Sequence, residues 1–539
     1  MVSLFSSLNI ASNALSVNES AISVVSHNVA NMNTEGYSKQ KVNLATRNIA
    51  GMIGNNVEAQ IRANGGVMIA NVMRYNNSYL NNYYREQNSL LNEYQQYVDD
   101  LGNLADVFND LDGNGIDKAL ANFYEAVNNL NEYPASSTAR VNFIESAKTL
   151  TSILNTKSMQ LEELGSKALG DGYSDEKLQN SKIYFQCDIF NNKLEELAKI
   201  NKSLQLTQTG TLEANNLLDK RDLVLNEISE FVDINIEEYP NGSVNLYIGD
   251  QAVVKGSKVQ GELSVQTANS YKNYCDEHGI EYPEGWIVDP EGNVTFDCPV
   301  ITNFVDEKGN NVISDANDII RGGSFGGMLH SADVNSDKIN IETVRDSLNK
   351  LTSAIANIFN DLNTRDGAYC INPDNTGELI ATTPDNSIFV INGEGTEFSA
   401  GNISVNPDLL TDRGCWNLSC AYFSEDDNFD PKAVGNSQNV VAMLGTRSQK
   451  ISELGNMSLE DFYTGLIGKI GAAGSNAETV VATQKDVVDS IYNEIRSNNS
   501  VDLNEELVDL VKYQTAYAAS AQVFNVVNNC LDTLMRLGG

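Results

Sequence analysis

Basic residues are scarce in this sequence: 36 Lys and Arg stand against 72 Asp and Glu, a formal net charge of −36 over 539 residues. A surface so acidic repels phosphate backbones and anionic lipid headgroups alike, so neither nucleic acid nor a bare membrane is a fitting partner. No window has the unbroken apolar length of a membrane span. The opening Met1-Val2-Ser3-Leu4 lacks the basic start and apolar core of a secretory signal, so any export is expected to be signal-free. The three histidines, His27, His278 and His330, lie far apart and none sits in an HExxH pattern. The seven cysteines have no CxxC spacing, which argues against a structural zinc site or a small disulfide scaffold. Cys415 with Cys420 and Cys275 with Cys298 are possible pairs, and free buried thiols are equally compatible. The glycine cluster Gly322-Gly323-Ser324-Phe325-Gly326-Gly327 lacks the Lys-Ser/Thr of a phosphate-binding loop and reads as flexible backbone at a domain junction. Asp110, Asp112, Asn114 and Gly115 open like a calcium loop, but the twelfth position is Ala121, so a helix-ending turn is expected instead. Asn293-Val294-Thr295 is a glycosylation sequon of a kind that often arises by chance. No catalytic, cofactor or metal constellation stands above the acidic background.

Proline is also unevenly placed. All nine except Pro134 lie between Pro240 and Pro431, together with both tryptophans, Trp286 and Trp416. The terminal thirds are free to be helix, while the middle reads as strand-rich modules punctuated by turns such as Asn241-Gly242. The fold expected is mainly α with β-rich insertions, a multidomain α+β chain. Residues 1–45 and 490–539 would form a terminal helical pair. Residues 46–256, 321–362 and 433–489 would make a discontinuous helical core with a small hairpin through Val244–Gly256, and 257–320 and 363–432 would be outer modules. Helical spacing marks Leu80–Phe108, Ile116–Leu130, Thr138–Lys167, roughly Asp175–Phe231, Ile341–Leu362 and the chain after about Asn439.

The ends carry matching patterns. Leu4, Leu8, Ala11, Leu15, Asn18, Ile22, Val25 and Val29 recur at alternating spacings of four and three, the seam of a helix that packs in coiled-coil style. Leu503, Leu507, Leu510, Gln514, Tyr517, Ala521, Phe524, Asn528, Leu531 and Met535 repeat it at the far end. Each helix could cover a core of its own, or the two could pair with each other and with neighbouring copies. Asn18, Gln514 and Asn528 at seam positions cost stability but can fix register, which suits the second alternative.

The segment Ser26-His27-Asn28-Val29-Ala30-Asn31-Met32-Asn33-Thr34-Glu35-Gly36-Tyr37-Ser38 resembles the N-terminal signature of bacterial flagellar axial proteins, the family of rod, hook and hook-associated subunits. Ser500-Val501-Asp502-Leu503-Asn504-Glu505-Glu506-Leu507, followed by Tyr513-Gln514-Thr515-Ala516-Tyr517, resembles the family's C-terminal signature. Ala214-Asn215-Asn216-Leu217-Leu218-Asp219-Lys220-Arg221-Asp222, the hairpin after it, Phe123-Tyr124 to Pro134 with Arg140, and Gly322 to Leu329 are similar to its hook-associated members, with Lys220 departing from an expected glutamine. The likeness implies a non-catalytic structural subunit of the junction between hook and filament, extracellular and on the flagellum. Its partners would be copies of itself, the hook protein, a second junction protein or filament base, and the type III export apparatus. A dedicated export chaperone would take the face around Leu531, Leu534, Met535 and Leu537. Another axial subunit, or an adhesin exported the same way, is the alternative.

Overall fold

The computed structural model describes residues 2–46, 66–109, 115–283, 315–333, 336–393, 395–411, 413–424 and 427–537, with short pieces between 286 and 313. The calcium-like Asp110–Asn114 and the sequon Asn293 lie outside the described residues.

Helix α1 (Val2–Asn31) ends where Asn31 and Asn33 precede Gly36, which turns at φ +74°. Strands β1 (Gln40–Thr46) and β2 (Val67–Arg74) then pair antiparallel, Gln40 opposite Arg74. Four long helices follow the sequence periods: α2 (Ser78–Phe108), capped by the Asn77 side chain, α3 (Ile116–Glu132), α4 (Ser137–Leu169) and, after the short α5 (Asp175–Gln179), α6 (Lys182–Leu206). The Asp175–Phe231 stretch, read above as one helical region, is divided. It breaks at Asn180-Ser181 and again before α7 (Leu212–Ser229). At the second break Gly210 turns at φ +76° so close to Asn71 that a Cβ would stand 2.9 Å from that side chain. The Gly210 carbonyl accepts from Val72 N at 2.7 Å, so docking on β2 overrides helix continuation.

The expected hairpin is the centre of a four-stranded meander, β3 (Asn235–Glu238), β4 (Val244–Ile248), β5 (Gln251–Lys255) and β6 (Lys258–Val259). β7 (Glu262–Thr267), helix α8 (Ala268–His278), a small hairpin of β8 (Ile287–Val288) with β9 (Val294–Thr295), and β10 (Val300–Val305) with β11 (Asn311–Ile313) complete the first strand-rich stretch, β10 lying between β7 and β11. Helices α9 (Gly323–Ser331) and α10 (Ile341–Thr364) lead to the second. There β12 (Ala368–Ile371) lies between β13 (Leu379–Ala381) and β16 (Ser419–Tyr422), beside the pair β14 (Phe389–Ile391) and β15 (Ile403–Val405). The chain closes with α11 (Gln438–Gly445), the 41-residue α12 (Leu459–Asn499) and α13 (Leu503–Leu537).

Two large cores hold the middle. In the first, Phe123 of α3 meets Phe143 of α4 and Phe359 of α10 at centroid distances of 5.2 and 4.9 Å, and Phe389 of β14 joins them. In the second, Phe190 of α6 packs edge-on against Phe325 of α9 at 5.5 Å, with Leu246, Val254, Val300 and Phe304 from the sheets. Arg140 is wholly buried in the first core. Its guanidinium donates to the carbonyls of Pro134, Cys415 and Leu418 at 2.8, 3.2 and 2.7 Å, tying the 413–422 strand region to α4.

The glycine cluster needs correction. Rather than a flexible junction, it is a close approach: Gly323, at φ +60°, would place a Cβ 2.1 Å from the Phe231 carbonyl carbon, and Gly327 one 2.7 Å from the Gln96 side chain. Only a residue with no side chain lets α9 lie this close to α2. The cysteines are all free, six of them buried and Cys530 exposed, so neither candidate pair is joined.

Candidate assembly interface

α1 and α13, from opposite ends of the chain, run against one another. Along α1, Ala11, Asn18 and Val25 are buried and Leu4, Leu8, Leu15, Ile22 and Val29 half-buried. Ala21, Val24 and Val25 form one small apolar cluster with Tyr513 of α13 and with Val42 and Val72 of the β1–β2 hairpin, Leu510 at its edge. On α13 the buried positions are Glu506, Tyr513 and Val527, while Leu510, Ala521, Phe524 and Leu531 are half-buried. Leu503, Leu507, Gln514, Tyr517, Asn528 and Met535 are exposed in the single chain, as are Val508, Val511, Val523 and Val526. α13 therefore has two apolar stripes, one on α1 and one facing outward. Leu534 is exposed beside Met535, and the side chain of Leu537 lies outside the described residues.

Of the polar seam residues, Asn18 donates to its own helix, at Ala14 O (2.8 Å). Register is held instead by a group that periodicity does not single out. Asn28 Nδ2 donates to Glu506 Oε2 at 2.9 Å and to Gln40 O at 2.8 Å, and Asn28 Oδ1 accepts from Tyr37 Oη at 2.7 Å and from Gln40 N at 3.0 Å. This single buried amide thus joins α1, the turn after it, β1 and α13. Lys39 reaches Glu505 at 2.5 Å and Glu506 at 3.6 Å, and Lys39 N donates to Asn499 O at 2.9 Å. Burial alone would pull the Lys39 pKa down, but the two carboxylates outweigh it and the pKa stands above its ordinary value. Burial, with the nearby Asp219 and Glu506 carboxylates, pushes the Tyr37 hydroxyl far above its ordinary range, so it remains a donor at any physiological pH.

The same turn is fastened to the core. Ser38 N donates to Asp219 at 3.3 Å, and Gln40 exchanges side-chain bonds with Asn215 and Asn216 of α7, each at 3.0 Å. Arg74 of β2 bridges Asp219 and Asp222, both at 2.7 Å, and Arg85 of α2 and Arg221 of α7 reach Asp222 at 3.1 and 2.8 Å. Arg221 continues to Glu238 of the meander at 2.7 Å. Burial would raise the Asp222 carboxyl, but the guanidiniums of Arg74, Arg221 and Arg85 hold it well below the usual carboxylate range. An unbroken chain of charged and amide contacts therefore runs from the terminal pair to the helical core. In such a buried network each member is costly to lose, because its partner is left charged and dry. Of the residues that build it, Asn28, Tyr37, Ser38, Asn215, Asn216, Asp219, Arg221, Asp222 and Glu506 lie within the segments that carried the family likeness, while Gln40, Arg74, Arg85 and Glu238 lie outside them. For the first group, that was the one sequence signal able to find them.

Three family models match the chain at the elements just described. The flagellar hook-associated protein FlgK helical domain covers residues 101–369, the flagella basal body rod protein model residues 8–37, and the flagellar basal body rod FlgEFG protein C-terminal model residues 497–537. The two end matches fall on α1 with its turn and on α13. Flagellar hook-associated protein 1 of Bacillus subtilis is 25% identical over 554 aligned positions that span all of both chains. The protein of the same name from Salmonella typhimurium is 24% identical over 574, covering 98% of this chain and 99% of its own. The structure of the flagellar hook junction protein FlgK from Burkholderia pseudomallei superposes with a TM-score of 0.54 at 12% identity, over 78% of this chain and 100% of that one, a likeness of fold. Helical core, terminal modules and full-length relatives agree, and the chain belongs to the flagellar hook-associated protein family.

Proposed function

We propose that the chain is a structural subunit of the junction between flagellar hook and filament, and that its work is done by packing rather than catalysis. One structural observation supports the reading above others. The terminal pair is locked to the core through Asn28, Glu506 and Asp219, yet α13 leaves Val508, Val511, Val523 and Val526 in solvent. An apolar stripe left in solvent on a helix held in this way is suited to burial against neighbours, and such burial stabilises a subunit on assembly.

In this reading α1 and α13 pack beside copies of the same chain and beside the hook protein on one side, and a second junction protein or the filament base on the other. The seam residues that are exposed in the single chain, Leu503, Leu507, Tyr517 and Met535, supply the lateral contacts. Before assembly the chain passes through the type III export apparatus to the cell exterior, and an export chaperone covers the last turns of α13 around Leu531, Leu534 and Met535 in a helix-in-groove contact.

Electron microscopy of cells lacking the gene, combined with an assay of flagellin in the medium, tests the proposal. Complete hooks without filaments, with flagellin lost to the medium, are expected. Normal filaments would refute the junction role, and absent hooks would shift the subunit to hook or rod.

A further inference from the structure

The second strand-rich stretch is entered along β12 and left along β16, and these two strands lie antiparallel, side by side. Tyr369 stands opposite Ala421 and Cys370 opposite Ser419, with the register shifting between them, so Cys420 is the extra residue of a β-bulge. Ser419 and Cys420 together oppose the single residue Cys370. Residues that face each other on antiparallel strands have Cα atoms about 4.5 to 5.5 Å apart, inside the span of about 4.4 to 6.8 Å that a disulfide bridges.

Side-chain alternation turns both thiols the same way. Tyr369 and Ile371, which flank Cys370, pack with Ala421 in one small cluster, so Cys370 points to the other face of the sheet. Cys420, beside Ala421, also points there and lies in the first large core with Cys415 and Leu418. Burial pushes the Cys370 thiol up to about 11 and raises the Cys420 thiol as well, in each case against the nearby Arg140 guanidinium, and Cys420 adds to the rise at Cys370. The two thiols thus share one dry site next to Arg140, reduced in the structure and 1% and 2% exposed.

We propose that Cys370 and Cys420 are a disulfide-forming pair, joined while β12 and β16 come together during folding in an oxidising medium. The oxidant is a small-molecule disulfide such as oxidised glutathione. One cysteine thiolate attacks it, giving a mixed disulfide and releasing one small thiol. The other cysteine attacks that mixed disulfide at the protein sulfur, forming the Cys370–Cys420 bond and releasing the second small thiol. Two protein thiols are oxidised, the small disulfide is reduced, and the two protons pass through solvent to the small thiols. Once the sheet has closed, neither sulfur is open to an oxidant, so the step belongs to folding and not to the finished fold. The loop that the bond closes contains β13, β14 and β15, so the strands by which the chain enters and leaves this stretch could no longer part. Cys415 is the rival partner, but there Arg140 holds the main-chain carbonyl, at 3.2 Å.

Oxidative refolding of the full chain tests this. Reduced protein is unfolded in urea and diluted into buffer containing reduced and oxidised glutathione. Remaining thiols are alkylated under denaturing conditions, and unreduced peptides are mapped by mass spectrometry. A Cys370–Cys420 link is expected in most molecules, and chain that was already folded and reduced should form it at least tenfold more slowly. The linked chain should melt about 5 °C above the reduced one, a difference that dithiothreitol added before unfolding in urea and refolding removes. Cys415→Ser should keep the link and Cys420→Ser should lose both the link and the shift, with Cys370→Ser giving the same readout should that variant fail to refold. Free Cys370 and Cys420 thiols in the refolded chain, a Cys415–Cys420 link in their place, or a linked chain that melts no higher than the reduced one would each overturn the proposal, and none of them bears on the junction reading.

Discussion

The Asn28 amide and the Glu506 carboxylate meet at 2.9 Å although 478 positions separate them in sequence, and both are buried. Replacing Asn28 with Ala removes the donor to Glu506 and the acceptor for Tyr37 and Gln40. It should cost about 1 to 3 kcal/mol, the penalty for stranding a buried polar partner. The loss should be local, so hydrogen exchange would quicken across α13 while the amides of α3 and α10 keep their protection. Unchanged exchange in α13 would mean that the helix is held by its apolar stripe alone.

Leu510 packs at the edge of the cluster that α13 shares with α1, and Phe524 is half-buried further along α13. Leu510→Asp with Phe524→Asp should therefore release α13 without unfolding the two large cores. The expected result is an unaltered main thermal transition and an exported chain that fails to enter the junction. Normal filament attachment by this variant would remove the terminal pair from the assembly mechanism.

Two buried aspartates should make stability respond to pH in opposite directions. The Asp222 pKa is depressed, so its contribution is present above the ordinary carboxylate range and is lost as pH falls through that range and below. The Asp100 pKa is raised to about 7 by burial, despite the hydrogen bond from Gln96 and the nearby Lys182, with Asp99 adding to the rise. Its protonated form is the stable one, so stability is lost as pH climbs from the ordinary carboxylate value toward 7. Asp100→Asn should then be close to neutral at pH 4 and stabilise the unassembled chain by on the order of 1 to 3 kcal/mol at pH 8. Urea midpoints at the two pH values would show it, and equal shifts at both would exclude ionisation as the cause.

Glycines of the chain should differ sharply in what they tolerate. Gly323→Ala forces a Cβ to 2.1 Å from the Phe231 carbonyl carbon at a left-handed φ, and a loss of roughly 3 kcal/mol or more is expected. Gly471→Ala, in open helix, should gain about 0.5 to 1 kcal/mol. Paired denaturation curves separate the two, and similar effects at both sites would contradict the packing described around α9.

Much of this architecture is legible in the sequence wherever one period dominates. Leu80, Leu101 and Phe108 recur on one face of α2 and are buried there, and the turn chemistry of Asn241-Gly242 sits in the β3–β4 connection of the meander. Two apolar stripes on α13 blur the same signal. With Val508, Val511, Val523 and Val526 beside the named seam, spacing alone does not tell which stripe meets α1 and which meets solvent. The Asn28 clamp and the Arg140 carbonyl cage are invisible to periodicity for another reason. Each is a polar residue with partners far off in sequence, Glu506 for Asn28 and Cys415 and Leu418 for Arg140, and long-range partners have no local pattern. Gly323 shows the converse: a glycine-rich run looks loose in one dimension and is among the tightest contacts in three.

The pairing of α1 with α13 also sets an order of events. α1 is made first, yet the surface it packs on arrives only after every intervening strand and helix has been laid down. A chain cut short at any point before Leu503 leaves Ala21, Val25 and the Asn28 amide without their counterpart in α13, however well its middle has folded. The terminal pair therefore closes only once the last helix is in place, and the fold itself works as a length gauge: an incomplete copy keeps the α1 apolar face uncovered.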